Sequence, residues 1–165
     1  MEYAKIDRLF KRTPEMFDMV KEKLFEHYEQ IINIFDFYCG KSTYPRISMN
    51  DITSFCHDTG ILDNKYIGFA ALDLLLVATN VSTHKYKQSA ERDICRYELL
   101  EFIVRTANFR FLEKKQADDS CEAIDKLLDD YIYPNARFMH GTLFRKKYCY
   151  NMKVNEILEK NAVQI

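Results

Sequence analysis

The chain has 165 residues and a nearly balanced charge, with 24 basic and 25 acidic side chains, a net charge of −1 and a pI of about 6.4. This balance argues against a protein that neutralises a phosphate backbone, and 47% hydrophobic with 30% charged residues excludes a disordered chain. Only 4 Gly and 3 Pro are present, too few for a many-stranded barrel or a phosphate-binding glycine loop. We therefore expect one soluble, helix-rich domain with no nucleic-acid, membrane or small-molecule partner.

The cysteines and histidines show no pattern of a metal or catalytic site. The five cysteines are an odd number without a CxxC pair, and His57, although adjacent to Cys56, points to a different helix face. The N-terminal sequence MEYAKIDRLFKR has no apolar segment of signal-peptide type. These features predict a reducing, cytoplasmic environment, no cofactor and no enzymatic activity. An enzyme stays open only if the fold places a polarised cysteine–histidine pair or a pair of carboxylates in a cavity.

The first half of the chain predicts a helix, a loop and a second helix. Pro14 suits a first helical position, and apolar residues then recur at three- and four-residue steps as far as Tyr38. We therefore expect one long helix over this range, ended by Gly40. After a polar loop, Ser48 and Asp51 form a capping-box-like start of a short helix.

The second half repeats this order. An Asp-Asn pair at residues 63–64 offers the cap of a third helix, whose apolar face is so broad that we expect it to be covered on both sides at the centre of the core. A polar segment, 80–92, separates it from a fourth helix that runs to about Arg110. Helical spacing predicts further helices at 121–132 and near 152–158. No segment predicts a pair of strands, so the predicted fold class is all-α.

The two halves share a pattern that resembles the EF-hand superfamily in a degenerate, paired form. In that family an acidic first ligand follows the first helix, a β-branched residue pairs with its twin across the two loops, and an acid four positions later closes the site. The matching positions are Asp36, Ile47 and Asp51 in the first unit, and Asn80, Ile94 and Glu98 in the second. The resemblance implies a pair of helix-loop-helix units in which Ile47 and Ile94 lie side by side.

The same loops lack what calcium needs. An EF-hand binds Ca²⁺ through six to eight oxygens, with acids at positions 1, 3, 5 and 12 of its loop and a glycine at position 6. The first loop takes 11 positions from Asp36 to its isoleucine, and the second takes 14 from Asn80 to its isoleucine. Side-chain oxygens in the middle of the loops come mainly from Ser42, Thr43, Ser82 and Thr83. We therefore expect four vestigial positions without metal: Asp36, Asp51, Asn80 and Glu98. The alternative for the two later acids is a first-turn position favoured by the helix dipole.

The helix sequence RYELLEFIVRTA at 96–107, set against RISM at 46–49, is similar to metal-free EF-hand pairs of ciliary and flagellar axonemes, including proteins bound to doublet microtubules. This resemblance implies a structural protein of the cytoplasm and cytoskeleton that binds tubulin or neighbouring axonemal proteins. The alternative is a calmodulin-like calcium sensor that opens an apolar groove for a target helix. The mid-loop acid content separates the two hypotheses and favours the structural one.

Three regions are predicted: an N-terminal extension at 1–13, the degenerate pair at 14–110, and a C-terminal helical extension at 111–165 that packs on the pair or on a partner. The last 27 residues, 139–165, hold five basic and two acidic residues, whereas 1–138 hold 19 basic and 23 acidic ones. Basic and aromatic side chains alternate there in a way that suits an acidic protein surface such as tubulin. The residues concerned are Phe144, Arg145, Lys146, Lys147, Tyr148 and Tyr150. The alternative is a solvated loop with incidental lysines.

Overall fold

The computed structural model describes residues 6–41, 44–80, 93–138 and 141–162. Helices dominate these residues, and the single β feature among them is one isolated bridge, which confirms the all-α prediction. The α-helices are α1 (Pro14–Glu26), α2 (Tyr28–Cys39), α3 (Met49–Asp58), α4 (Phe69–Asn80), α5 (Arg96–Ala107), α6 (Ser120–Leu127), α7 (Tyr133–Asn135), α8 (Gly141–Phe144) and α9 (Met152–Lys160). A π-helical turn follows each of α5, α6 and α8, at Asn108–Leu112, Leu128–Ile132 and Arg145–Cys149 respectively.

The long helix predicted from Pro14 to Tyr38 is present but interrupted. His27, with φ −94° and ψ 0°, separates α1 from α2. Its ring Nδ1 lies 2.8 Å from the hydroxyl of Tyr133, a contact with a residue distant in sequence. The apolar spacing continues across the break because both helices bury one face in the same core. The spacing alone therefore could not reveal the interruption.

One antiparallel bridge joins the loop before α3 to the loop before α5. Ile47 donates its backbone N–H to the carbonyl of Ile94 at 2.9 Å, and Ile94 donates in return at 2.8 Å. Both side chains are buried at 1% exposure. The pairing expected for these two residues is thus confirmed. Each isoleucine stands two residues before a helix, so the bridge places the starts of α3 and α5 side by side.

The helix at the centre of the core is α5 rather than α4. α5 buries side chains around most of its circumference and packs against α2, α4 and α6. α4 buries one face against α5, while Phe69, Leu74 and Val77 on its other side are 60%, 71% and 62% exposed. The expectation that this helix is covered on both sides is therefore wrong. A helix that is apolar on all sides fits a central position, but the exposed side chains of α4 show that part of its apolar surface meets solvent.

A buried carboxylate ties the segment before α1 to the helical core. Glu101 is fully buried in α5, and its Oε1 accepts hydrogen bonds from Arg8 at 2.5 Å and from Arg105 at 2.7 Å. Ile6 and Phe10, on either side of this arginine, join the apolar cluster. A buried charge is tolerated when it is paired and hydrogen-bonded in this way. The segment that the sequence analysis separated as an extension thus contributes to the core.

A second ion pair, formed by a buried arginine, joins the loop before α4 to the π-helical turn after α5. The guanidinium of Arg110 lies 3.0 Å from the carboxylate of Asp63 and 4.2 Å from the ring centroid of Tyr131. Burial alone would raise the pKa of Asp63, but the backbone N–H groups of Tyr66 and Ile67, together with Arg110, bring that pKa below its ordinary value. Arg110 therefore connects two segments that are distant from it in sequence, through an ion pair with Asp63 and a ring contact with Tyr131.

Candidate functional site

The four vestigial loop positions do not converge on a metal site. Asp36 is exposed near the end of α2, and Asn80 is the last residue of α4. The two later acids cap their own helices. The Asp51 carboxylate accepts a hydrogen bond from the Ser48 hydroxyl at 2.6 Å, and the buried Glu98 carboxylate accepts one from the backbone N–H of Cys95 at 2.9 Å. They thus occupy the first-turn positions considered as the alternative to ligation.

Both helices beyond the bridge start in the same way. In each unit the residue after the bridged isoleucine is the N-cap, and the acid four positions after the isoleucine is the third helical residue. In the chain segments that the structure covers, no group of three or more His, Cys, Asp or Glu side chains could hold a metal ion. The loop oxygens expected at Ser42, Thr43, Ser82 and Thr83 lie outside those segments.

The predicted partner-binding residues lie together on an exposed arm, residues 141–162. Phe144, Tyr148 and Tyr150 are 44%, 46% and 71% exposed, and the first two rings lie in a tilted arrangement at a centroid distance of 5.2 Å. Lys147 places its Nζ 5.1 Å from the Tyr148 ring, a cation–π distance. Lys146 points into solvent, and none of the arm's cations takes part in a described ion pair. The sequence prediction thus corresponds to one cationic, aromatic surface.

The C-terminal extension behaves differently in its two parts. α6 packs against α1 and α5 as part of the core. In the arm, α9 is capped by Asn151, whose side chain accepts the N–H of Val154, yet Met152, Ile157 and Leu158 stay 50–75% exposed. An amphipathic helix with an uncovered apolar face is typical of a surface that binds another molecule. The arm as a whole therefore has the composition of a docking surface.

The base of the arm adjoins α2. A cleft of about 290 Å³ lies between the two, lined by Asn33, Asp36, Phe37, Gly141, Phe144 and Arg145. Asp36, which the sequence analysis predicted as a vestigial loop position, thus lines a cleft together with residues of the arm. The cleft is open to solvent, and its lining residues come from both α2 and the arm.

The sequence analysis missed a second charged surface, the outward side of α1. Four exposed acids recur there at three- and four-residue steps: Glu15, Asp18, Glu22 and Glu26. Two exposed apolar side chains, Met19 at 48% and Phe25 at 72% exposure, lie beside these acids, and the exposed Lys21 lines an open pocket with Glu22, Phe25 and Glu26. We call the four acids together with Met19 and Phe25 the acidic face of α1. The spacing of the acids was visible in the sequence, and it would have identified this face once the apolar stripe of the helix was assigned to the core.

Four buried or partly buried titratable groups, those of His27, Tyr133, Cys56 and Cys121, lack the features of an activated nucleophile. His27 contacts Tyr133 and Asp125 rather than a cysteine. Burial, reinforced by nearby carboxylates, raises the pKa of the Tyr133 hydroxyl. Burial also raises the pKa of the Cys56 and Cys121 thiols, which keeps them protonated and weakly nucleophilic. The contacts of His27 with Tyr133 and Asp125 link the end of α1 to α7 and α6.

No helix in the described ranges is long and apolar enough to cross a bilayer.

The chain was compared with protein families, curated proteins and solved structures. No family model, no curated protein and no solved structure shows a significant match to this chain.

Proposed function

We propose that this chain is a non-enzymatic structural component of the cytoskeleton, built on a degenerate EF-hand pair over residues 14–110, and that it belongs to the doublet microtubules of ciliary or flagellar axonemes. The observation that carries the proposal is the Ile47–Ile94 bridge, with an N-cap one residue after each isoleucine and a capping acid four residues after it. A paired bridge between two helix-loop-helix units is the arrangement that the family resemblance implies.

The chemistry of the two capping acids supports a role without calcium. Asp51 and Glu98 already accept hydrogen bonds from their own helix starts. A cation would have to compete with these contacts, while calcium needs several more oxygens than the two acids provide. An EF-hand pair whose acids cap helices instead of binding a metal ion keeps the surfaces through which its helices pack. Such surfaces suit a scaffold or docking protein.

The arm supplies the surface that would hold the chain in an assembly. Its cations Arg145, Lys146 and Lys147 are interleaved with exposed aromatic rings, a combination that anchors protein interfaces. Tubulin, which is acidic, is complementary to this charge. Partners of the rest of the chain would be neighbouring proteins of the axoneme.

Sedimentation with stabilised microtubules tests this assignment of the arm. The full chain should pellet with microtubules at low ionic strength and be released as salt screens the charges. The double variant Lys146→Glu with Lys147→Glu should lower the affinity at least about tenfold, which corresponds to about 1.4 kcal/mol. A matched control, Lys114→Glu with Lys115→Glu, carries the same change of charge at exposed positions outside the arm and should bind like the wild type.

Two outcomes would contradict the proposal. The wild-type chain could remain in the supernatant at low salt, or the arm variant and its control could lose affinity equally. The second result would mean that the microtubule responds to the overall charge of the chain and does not recognise the arm.

A further inference from the structure

The chain presents two uncovered amphipathic surfaces of opposite charge. The acidic face of α1 combines four carboxylates with Met19 and Phe25. The arm combines Arg145, Lys146, Lys147 and two further lysines with exposed aromatic and aliphatic side chains, and it also carries Glu156 and Glu159. Residues 141–162 thus hold five basic and two acidic residues, while the side of α1 with the four carboxylates holds one lysine, Lys21. Large apolar side chains that remain in solvent beside charged ones mark a protein–protein contact. The excess charges of the two surfaces are opposite in sign.

The charges on these two surfaces are available for a partner. On α1, only Glu26 takes part in an ion pair, with Lys23, whereas Glu15, Asp18 and Glu22 have no described ion-pair partner. The arm's cations are likewise outside the described ion pairs, and Phe144 and Arg145 line the open cleft beside α2. Among the residues that the structure describes, most charges of both surfaces therefore have no ion-pair partner within one copy.

We propose that the arm of one copy docks on the acidic face of α1 of a second copy. In this contact, Phe25 and Met19 would pack against the exposed rings of the arm and the apolar side of α9. Asp18 and Glu22 would form ion pairs with the cations around Lys146. Because every copy carries both surfaces, a two-fold dimer forms the contact twice and leaves neither surface open. Charge complementarity between the surfaces supports a second copy as the occupant, and it sets the register and the rate of association.

This inference goes beyond the proposed function and does not depend on it. Both proposals use the same cations of the arm, so a dimer of this kind would exclude binding of the arm to a microtubule. A chain that dimerises but does not bind microtubules would refute only the proposed function. A chain that binds microtubules but never dimerises would refute only the present inference.

Sedimentation equilibrium with two matched variants tests the pairing. Asp18→Lys with Glu22→Lys reverses the acidic face of α1, and Lys146→Glu with Lys147→Glu reverses the arm. Each variant alone places like charges opposite each other and should weaken dimerisation at least about tenfold. An equimolar mixture of the two should regain the wild-type affinity as a heterodimer, because each reversed surface then meets its complement.

The controls separate this pairing from damage to the fold and from general charge effects. The substituted side chains are exposed, so far-ultraviolet circular dichroism and thermal midpoints should match the wild type. The variant Lys114→Glu with Lys115→Glu should dimerise normally. A wild-type chain that stays monomeric at about 100 micromolar in low salt, a range that would still detect weak association, would overturn the inference. Two variants that remain dimeric, or a mixture that stays monomeric, would overturn it as well.

Discussion

Ile47 and Ile94 exchange both of their backbone hydrogen bonds, at 2.9 and 2.8 Å, although 47 positions of sequence separate them. Both side chains are buried, and the helices that follow them begin with equivalent caps. The bridge between these two residues thus holds the starts of α3 and α5 side by side. A substitution that disrupts the bridge should lower the stability of the whole domain rather than loosen one loop.

Truncation of a bridged side chain should destabilise the protein strongly. Ile94→Ala removes fully buried methyl groups and should lower the free energy of unfolding by about 2–5 kcal/mol, whereas Ile94→Val should cost about 0.5–1.5 kcal/mol. Urea denaturation followed by circular dichroism measures both values. Leu74→Ala, at an exposed position on α4, serves as the control and should change stability by less than about 0.5 kcal/mol. Equal losses at both sites would contradict a core position for the bridge.

Calcium should leave the protein unchanged. Asp51 and Glu98 cap their helices, so millimolar Ca²⁺ should produce no saturable heat in titration calorimetry and no shift of the thermal midpoint. The variant Ser48→Ala should cost about 1 kcal/mol of stability, because the N-cap is lost, and the cost should be the same with and without calcium. Saturable binding below about 10 micromolar, the range of calcium sensors, would support the calmodulin-like hypothesis instead.

The ion pair between Asp63 and Arg110 should make stability depend on pH in the acid range. The pKa of Asp63 is lower in the folded chain than in the unfolded one, so its contribution is complete above about pH 4 and is lost as the pH falls through the folded pKa. Asp63→Asn should therefore destabilise the protein by about 1.5–3 kcal/mol at pH 7. The difference from the wild type should shrink towards zero in strong acid.

Urea denaturation at pH 7 and at successively lower pH measures this dependence. Asp130→Asn, at an exposed position, provides the matched control and should follow the wild-type stability at every pH. A constant difference between wild type and Asp63→Asn down to the lowest pH would show that Asp63 does not stabilise the fold through its charge.

Local signals in the sequence predicted much of the fold. The proline at position 14 and the Ser48–Asp51 cap placed two helix starts correctly, because capping depends on residues that are neighbours in the chain. The bridge was predicted from the resemblance to paired EF-hands, in which the repeated spacing identified Ile47 and Ile94 as the matching positions. The break at His27 and the exposed side of α4 were not predictable in this way, since each depends on which distant segments pack there.

The candidate surfaces show the same limit. The arm could be predicted because its cations and aromatic residues are contiguous in sequence. The acidic face of α1 is spread over three turns of helix, and only packing shows which side of the helix meets solvent. Glu101 and Arg110 are charged residues within buried helical turns, and their partners Arg8 and Asp63 come from remote segments. Periodicity cannot identify such partners.

Localisation of the tagged full chain in ciliated cells, followed by stepwise extraction of isolated axonemes, tests the central claim most directly. The account predicts a signal along the axoneme that survives detergent and is released by high salt, with the variant Lys146→Glu and Lys147→Glu released at lower salt than the wild type. A chain that is diffuse in the cytosol, or that detergent alone removes, would contradict the claim that this protein is a structural component of the axoneme.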